Sequence, residues 1–416
     1  MTAPRLARAA ATLRKGVFAA LEERMADVAR QGKMLVPLHI GDTHLAPPEA
    51  SRAALLESHP SLFRYGPTGG LPKLREALAE YVTEYRGTPA TASEILVGAG
   101  GTHALHCIAR VLFDPGDEVI LLSPYWPLAP GIFEAQGARV VEVRVDLGAG
   151  PLRGAELLEK LRGAVTPRTR AVYFVSPGNP DGEIFSDAQL DAILELAEEH
   201  DLWVLADEVY ADVAYDAPHV PFRAGPRSAS ARARSVSLYS FSKSFALAGQ
   251  RVGFAVAPPE VVAAALRIST HTVFNVPLAS QNAALAALVA PRPFLGSTRE
   301  TYVRTRDAVA RELVLLGVSA KVPPAGVYFF LELAPFLDGA PLSELLLRCI
   351  DEGVLLAPGT AFGEGFETRA RLCFTSAGHE ETLAGVHALG RALSRPRAPG
   401  PEEEREDERE RERVAR

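Results

Sequence analysis

From about Leu35 to Asn275 the chain alternates short apolar runs with stretches of helical periodicity. The runs Ile95–Val97, Glu118–Leu122, Arg139–Val143, Ala171–Val175 and Leu202–Ala206 predict buried strands. Between them, Thr102–Phe113, Ala155–Ala164 and Asp187–His200 predict helices. Such alternation implies a mostly parallel sheet covered by helices on both faces, with ligands at the carboxyl ends of the strands. Ser235–Phe241 adds one more strand, and Lys243 falls just past its end.

The pattern changes near Val276. Alanine-rich helical periodicity over Ser280–Leu288 and Thr298–Leu316 leads to a strand at Gly326–Glu332. A helix over Leu342–Glu352, a strand ending at Arg371–Phe374 and a last helix over Glu380–Leu393 follow. The expected organisation is therefore a large α/β unit over 46–280 and a smaller α+β unit over 281–395. Residues 1–45, with a helix over Phe18–Gln31 stopped by Gly32, are expected to join the smaller unit. In 396–416, prolines precede a mixed run of glutamates and arginines with no apolar face, which predicts a solvated, disordered tail.

Composition narrows the function classes. The 416 residues are 47% hydrophobic and 23% charged, ordinary for a soluble globular protein. A net charge of -7 lacks the basic footprint of a nucleic-acid binder. No apolar run reaches the roughly 18 residues of a membrane span. Cys107, Cys349 and Cys373 lie in hydrophobic stretches without paired spacing, so they predict buried thiols and neither disulfides nor a metal site. Arg5, Arg8, Arg14 and Lys15 precede the first acid, Glu22, which raises a mitochondrial-type presequence. An amphipathic N-terminal helix accounts for them better, and the cytoplasm is the expected compartment.

The candidate chemistry lies at the strand ends. Lys243 sits in Ser240-Phe241-Ser242-Lys243, eight residues before Arg251. A neutral lysine amine suits a Schiff base to an aldehyde cofactor, and an arginine with serine hydroxyls suits that cofactor's phosphate. Asp207 and Tyr210 follow the strand Leu202–Ala206. A carboxylate there can keep a pyridine nitrogen protonated, while a phenol and the Asn179 amide hydrogen-bond the ring oxygen. Gly98-Ala99-Gly100-Gly101-Thr102 places small residues at a helix start, where a phosphate meets free backbone amides. Trp126, just past another strand end, is placed to stack on a flat ring.

In this order the motifs resemble those of the class I/II aminotransferases, enzymes of pyridoxal-phosphate fold-type I, over roughly residues 15 to 395. The resemblance implies an aspartate-aminotransferase-like fold and pyridoxal 5'-phosphate as cofactor. It makes Lys243 the Schiff-base lysine, Asp207 the pyridinium partner, and Tyr210 with Asn179 the ring-oxygen partners. Arg251, Ser240, Ser242, Gly101 and Thr102 correspond to the phosphate cup, and Trp126 to the stacking aromatic. Tyr65, in Arg64-Tyr65-Gly66-Pro67, resembles the tyrosine that reaches the neighbouring subunit's phosphate, so a homodimer is implied. Arg371 resembles the arginine for the substrate α-carboxylate, with Gly41 as its backbone partner.

Departures from the family pattern fall on the substrate side. His103 stands where an acid or glutamine is usual, and Ala99 where asparagine or serine is usual. Asn179-Pro180-Asp181-Gly182 replaces the familiar Asn-Pro-Thr-Gly turn. Thr43 and His44 lie where such enzymes often contact the substrate side chain, and His271 is a further candidate contact. The reaction implied moves an amino group between an amino acid and a 2-oxo acid in a ping-pong cycle, with Lys243 carrying the α-proton. A β- or γ-lyase of the same fold uses the same residues. A non-catalytic, ligand-binding relative is the alternative from another class.

Overall fold

The computed structural model describes residues 21–57, 59–145 and 152–394. The basic N-terminal stretch and the charged tail 396–416 lie outside them. Among the described residues, ten strands form two sheets. The large sheet contains β1 (Ile95–Gly98), β2 (Glu118–Ser123), β3 (Arg139–Arg144), β4 (Thr169–Val175), β5 (Trp203–Asp207), β6 (Ser235–Ser240) and β7 (Gly253–Val256). Their order is β1-β7-β6-β5-β4-β2-β3, and only β7 runs antiparallel to its neighbours. The fold is thus α/β with a mostly parallel sheet, as the alternating pattern implied.

Burial on both faces explains why the parallel strands read as continuous apolar runs. Leu121 and Tyr173 pack with Cys107 and Ile108 of the helix Gly101–Leu112, and with Phe113 just past its end, on one face. Ile120, Val172 and Phe174 pack with Leu157 and Ile193, from the helices Gly154–Arg162 and Asp187–Glu199, on the other. All three cysteines are buried and free.

The smaller sheet has the order β8 (Tyr328–Glu332), β10 (Arg369–Cys373), β9 (Ala357–Pro358), all antiparallel. Its core joins Leu331 and Leu372 to Val386 and Leu389 of the helix His379–Ser394 and to Leu21, Val28 and Leu38 of the N-terminal segment. That segment runs beside β10: Cys373 donates its N–H to the Leu38 carbonyl at 2.7 Å, and His44 donates to the Thr375 carbonyl at 2.8 Å. Gly41 is therefore positioned by the smaller sheet.

The sequence pattern misplaced some elements. β7 was not anticipated, because it is four residues long and begins at a glycine after Arg251, whose φ of 51° closes the preceding turn. The helix expected over Thr298–Leu316 starts at Pro291, since proline lacks only an N–H that the first turn leaves unpaired anyway. The N-terminal helix is described over Glu22–Arg30, with Gly32 beyond it at φ 73°. The helices Pro72–Arg86 and Pro259–Thr272 complete the cover of the large sheet.

Candidate active site

The carboxyl ends of β1, β2, β4, β5 and β6 open on a cavity of about 470 Å³ between the large sheet and the Gly41 segment. Its lining brings together Lys243, Asp207, Tyr210, Asn179, Trp126, Gly101, Thr102, Ser240, Ser242, Arg251, Gly41 and Arg371. Of the residues expected to be catalytic or to bind the cofactor or the substrate carboxylate, only Tyr65 stays outside this lining. It is 86% exposed and meets Phe274 edge-on, with ring centres 4.9 Å apart.

Asp207 ends β5 at the cavity floor and is only 5% exposed. Burial pushes its carboxyl up to about 6, with Glu208 adding to the rise. The Tyr173 hydroxyl opposes that rise by donating to Oδ2 at 2.8 Å, and the Val209 N–H donates to Oδ1 at 3.3 Å. A group that shares a positive charge with Asp207 restores its ionisation, so the floor favours a protonated ring nitrogen.

Lys243 lies on the one-turn helix Phe241–Ser244, which starts where Ser240 ends β6 and caps the turn by accepting from the Ser242 N–H at 3.2 Å. Its Nζ donates to the Gly41 carbonyl. Burial holds the amine below its ordinary value, and the nearby Arg371 and Arg251 charges act the same way against Cys373 and Asp42. A lowered amine spends more of its time as the neutral nucleophile. Behind it, Ser244 donates to Asp212 Oδ2 at 2.5 Å, and Tyr81 donates to Oδ1 at 2.6 Å. Arg86 pairs with the same carboxylate, tying the lysine turn to the helix Pro72–Arg86.

One end of the cavity gathers donors that could hold a phosphate. The helix Gly101–Leu112 presents its free N-terminal amides there, with Arg251 beside them. Gly100 has φ 82°, and a Cβ on it would stand 2.5 Å from Arg251 Nη2. A Cβ on Gly253 would stand 2.4 Å from the Gly101 nitrogen. Both glycines keep this cradle open to an anion, so these residues fit the phosphate of the cofactor that the motifs imply.

At the other end, Arg371 of β10 donates to Asn179 Oδ1 at 2.8 Å and to the His39 carbonyl at 2.6 Å. Its guanidinium lies over the Tyr328 ring at 4.2 Å and the Phe362 ring at 4.9 Å. Among the described residues its buried Nε has no hydrogen-bond partner. Burial, and then Arg371, pushes His39 down to about 4, so the imidazole is neutral. Tyr210 shares a 2.7 Å hydrogen bond with Tyr328, and a Cβ on Gly41 would stand 1.7 Å from the Tyr328 hydroxyl.

Three candidate substrate contacts lie elsewhere. His44 Nδ1 is 3.0 Å from the Thr375 carbonyl, and the Thr43 hydroxyl accepts from Tyr302, so both side chains brace the loop behind the cavity. His271 is 2.7 Å from the Arg267 carbonyl and lines a shallow surface hollow with Arg110 and His106. His103 accepts the Ala99 N–H at 3.2 Å and approaches Thr272, supporting the glycine turn from outside. Tyr328, Tyr173 and the Asp212 network were not anticipated. Tyr328 read as one more aromatic in a buried strand, and nothing in the local pattern marks Tyr173 as the partner of a residue 34 positions away.

This strand-end lysine, buried acid and anion cradle on a mostly parallel sheet are the features that the aminotransferase-like motifs implied. The family model described as "Aminotransferase class I and II" matches residues 33–388, and the chain belongs to that family. It is 34% identical to the aspartate/prephenate aminotransferase of Thermus thermophilus over 94% of this chain and 99% of that protein. It is also 34% identical to the arginine–pyruvate transaminase of Pseudomonas aeruginosa over 82% of this chain and 86% of that protein. The solved aspartate aminotransferase of Thermus thermophilus with maleate superposes with a TM-score of 0.84 at 31% identity, covering 94% of this chain and 100% of that one. Among the described residues no helix is long and apolar enough to cross a membrane.

Proposed function

We propose that the chain transfers the amino group of an amino acid to a 2-oxo acid with pyridoxal 5'-phosphate held in this cavity. When bound, that cofactor supplies an aldehyde to carry the amino group and a ring to take up the electrons of the broken α-bond. The observation that carries the reading is the single cavity holding Lys243, Asp207, the Gly101–Thr102 helix start and Arg371 together.

Each residue has a role that its surroundings support. Lys243, with a depressed amine at the wall, binds the cofactor and then moves the substrate's α-proton as base and acid. Asp207 would stabilise a proton on the ring nitrogen, and Tyr210 with Asn179 would hydrogen-bond the ring oxygen. Arg251, Ser240, Ser242, Gly101 and Thr102 would hold the phosphate, and Trp126 would stack on the ring. Arg371 forks the substrate carboxylate through its unpartnered Nε and a neighbouring N–H, fixing the α-carbon near Lys243. The Gly41 carbonyl, which already accepts from Lys243, orients the amine.

We further infer a cytoplasmic homodimer. Tyr65, Phe63 and Leu56 are 86%, 83% and 85% exposed, an apolar surface that a second copy would cover while Tyr65 reached its phosphate. A fully active monomer in sedimentation would contradict the dimer. We place the cofactor-binding unit at 46–280 and the smaller one, with the N-terminal segment, at 281–395. Transfer of label from a ¹⁵N-amino acid to an added 2-oxo acid tests the reaction. Release of the label as ammonia with no acceptor required would move the chain to the lyases.

A further inference from the structure

We infer that Tyr328 is a positioning residue of the active site, whose hydroxyl donates to Tyr210 and so aims the Tyr210 hydroxyl at the cofactor's ring oxygen. The inference rests on the aminotransferase reading and adds to it a residue that the site motifs leave out.

Tyr328 opens β8, lines the cavity and is 2% exposed. Its backbone is fixed from two sides. β10 pairs with it at Cys373, and just before it the Gly326 N–H donates to the Val213 carbonyl at 2.7 Å. The Val213 N–H donates to the Tyr210 carbonyl at 2.8 Å, so the turn that carries Tyr210 is bonded to the approach to β8. The two rings meet edge-on with centres 5.7 Å apart, and their hydroxyl oxygens are 2.7 Å apart. All these contacts lie within one copy of the chain, so a second copy does not alter the argument.

Two phenols at that distance share one hydrogen bond, in which one donates and the other accepts. Burial raises both above their ordinary value, so both keep their protons. Arg371 sets the direction of donation, because its guanidinium lies over the Tyr328 ring at 4.2 Å. After burial, Arg371 acts most on Tyr328 and draws it down, whereas Tyr328 acts most on Tyr210 and pushes it up. Tyr328 is therefore the more acidic phenol and the better donor. Accepting that bond leaves the Tyr210 O–H to point into the cavity, beside Asn179. A hydroxyl that accepts one hydrogen bond also donates a stronger one, since each bond polarises the next.

A purely structural pair would lose stability on substitution and nothing more. The test therefore reads a property that only the direction of the bond moves. Pyridoxal phosphate held by Lys243 absorbs visible light, and its band shifts as the nitrogen it shares with the lysine loses a proton. The ring oxygen sits on the carbon next to the one bearing the aldehyde, so a donor on that oxygen draws charge away and makes the nitrogen less basic. The assembled holoenzyme is titrated by absorbance, with no substrate present.

Tyr328→Phe keeps the ring under Arg371 and should raise the pH midpoint of the band by about half a pH unit. In a Tyr210→Phe background the same substitution should leave the midpoint nearly unmoved, because its route through Tyr210 is gone. Replacing Tyr328 with 3-fluorotyrosine, a more acidic phenol of almost the same shape, should lower the midpoint, and this holds the inference open to test even if Tyr328→Phe does not fold. An unmoved midpoint in either Tyr328 variant, or an equal shift with and without the Tyr210 hydroxyl, would overturn the inference and leave the aminotransferase reading standing. If the unsubstituted protein showed no visible band with pyridoxal phosphate, that reading would fall and take the inference with it.

Discussion

The floor of the cavity and its mouth are built on different principles. The floor consists of residues within a few positions of strand ends in one sheet: Asp207 ends β5, Ser240 ends β6, and Lys243 follows three residues later. The mouth is assembled from distant segments. Arg371 is bonded to groups 192 and 332 residues away, and Gly41 is held against β10 by the N-terminal segment. We read the charges on the floor as serving the cofactor, whereas the mouth places Ile40, Pro127, Leu128 and Phe362 around Arg371. The floor thus fixes the class of chemistry, and the mouth selects what is brought to it.

That difference can be broken from the floor upward. Replacing Lys243 with alanine should cut turnover by about 10⁴-fold or more while leaving the fold intact by circular dichroism, because the nucleophile and the proton carrier vanish together. Retained turnover would remove the lysine from the chemistry. Asp207→Ala should lower kcat by about 10³-fold, the scale for losing a preorganised charge at the reacting group. An unchanged kcat would break the electron-sink role.

At the mouth the effects should be smaller and fall more on binding. Arg371→Leu should reduce kcat/KM by about 10²-fold, through the loss of charge-assisted hydrogen bonds to the carboxylate. A loss confined to stability would make Arg371 a structural residue instead. Gly41→Ala should destabilise the protein by about 1–3 kcal/mol in denaturant titration, since its Cβ overlaps the Tyr328 hydroxyl.

The smallest effect expected is a pH dependence from the floor. In the cofactor-free protein Asp207 gains its proton as pH falls through about 6. That proton must leave when a protonated ring nitrogen binds, so cofactor affinity should be flat above pH 6.5 and fall about tenfold per unit well below 6. Tyr173→Phe removes a hydrogen bond that lowers the Asp207 value, so it should move this limb upward. A limb unmoved by that change would disconnect Tyr173 from the acid's ionisation.

The same contrast explains what the sequence disclosed. Parallel strands buried on both faces leave unbroken apolar runs, and functional groups at their ends sit beside turn residues, so Asp207, Asn179 and Lys243 stood out locally. The Gly100 and Gly253 approaches that hold the anion cradle open needed the sheet order, because β7 enters between β1 and β6 as a short antiparallel strand. Tyr328, Tyr173 and Asp212 act through partners far along the chain and carry no local signature. Thr43 and His44 were misjudged for the same reason. Their loop reaches the cavity through the Gly41 backbone, while their side chains turn to Tyr302 and Thr375.

The central claim is that Lys243 carries the cofactor, and borohydride reduction of the protein with pyridoxal phosphate, followed by peptide mass mapping, tests it most directly. The account predicts a stable pyridoxyl adduct on the peptide containing Lys243, absent from Lys243→Ala. An adduct on other lysines alone, or one that persists in the variant at equal yield, would contradict it.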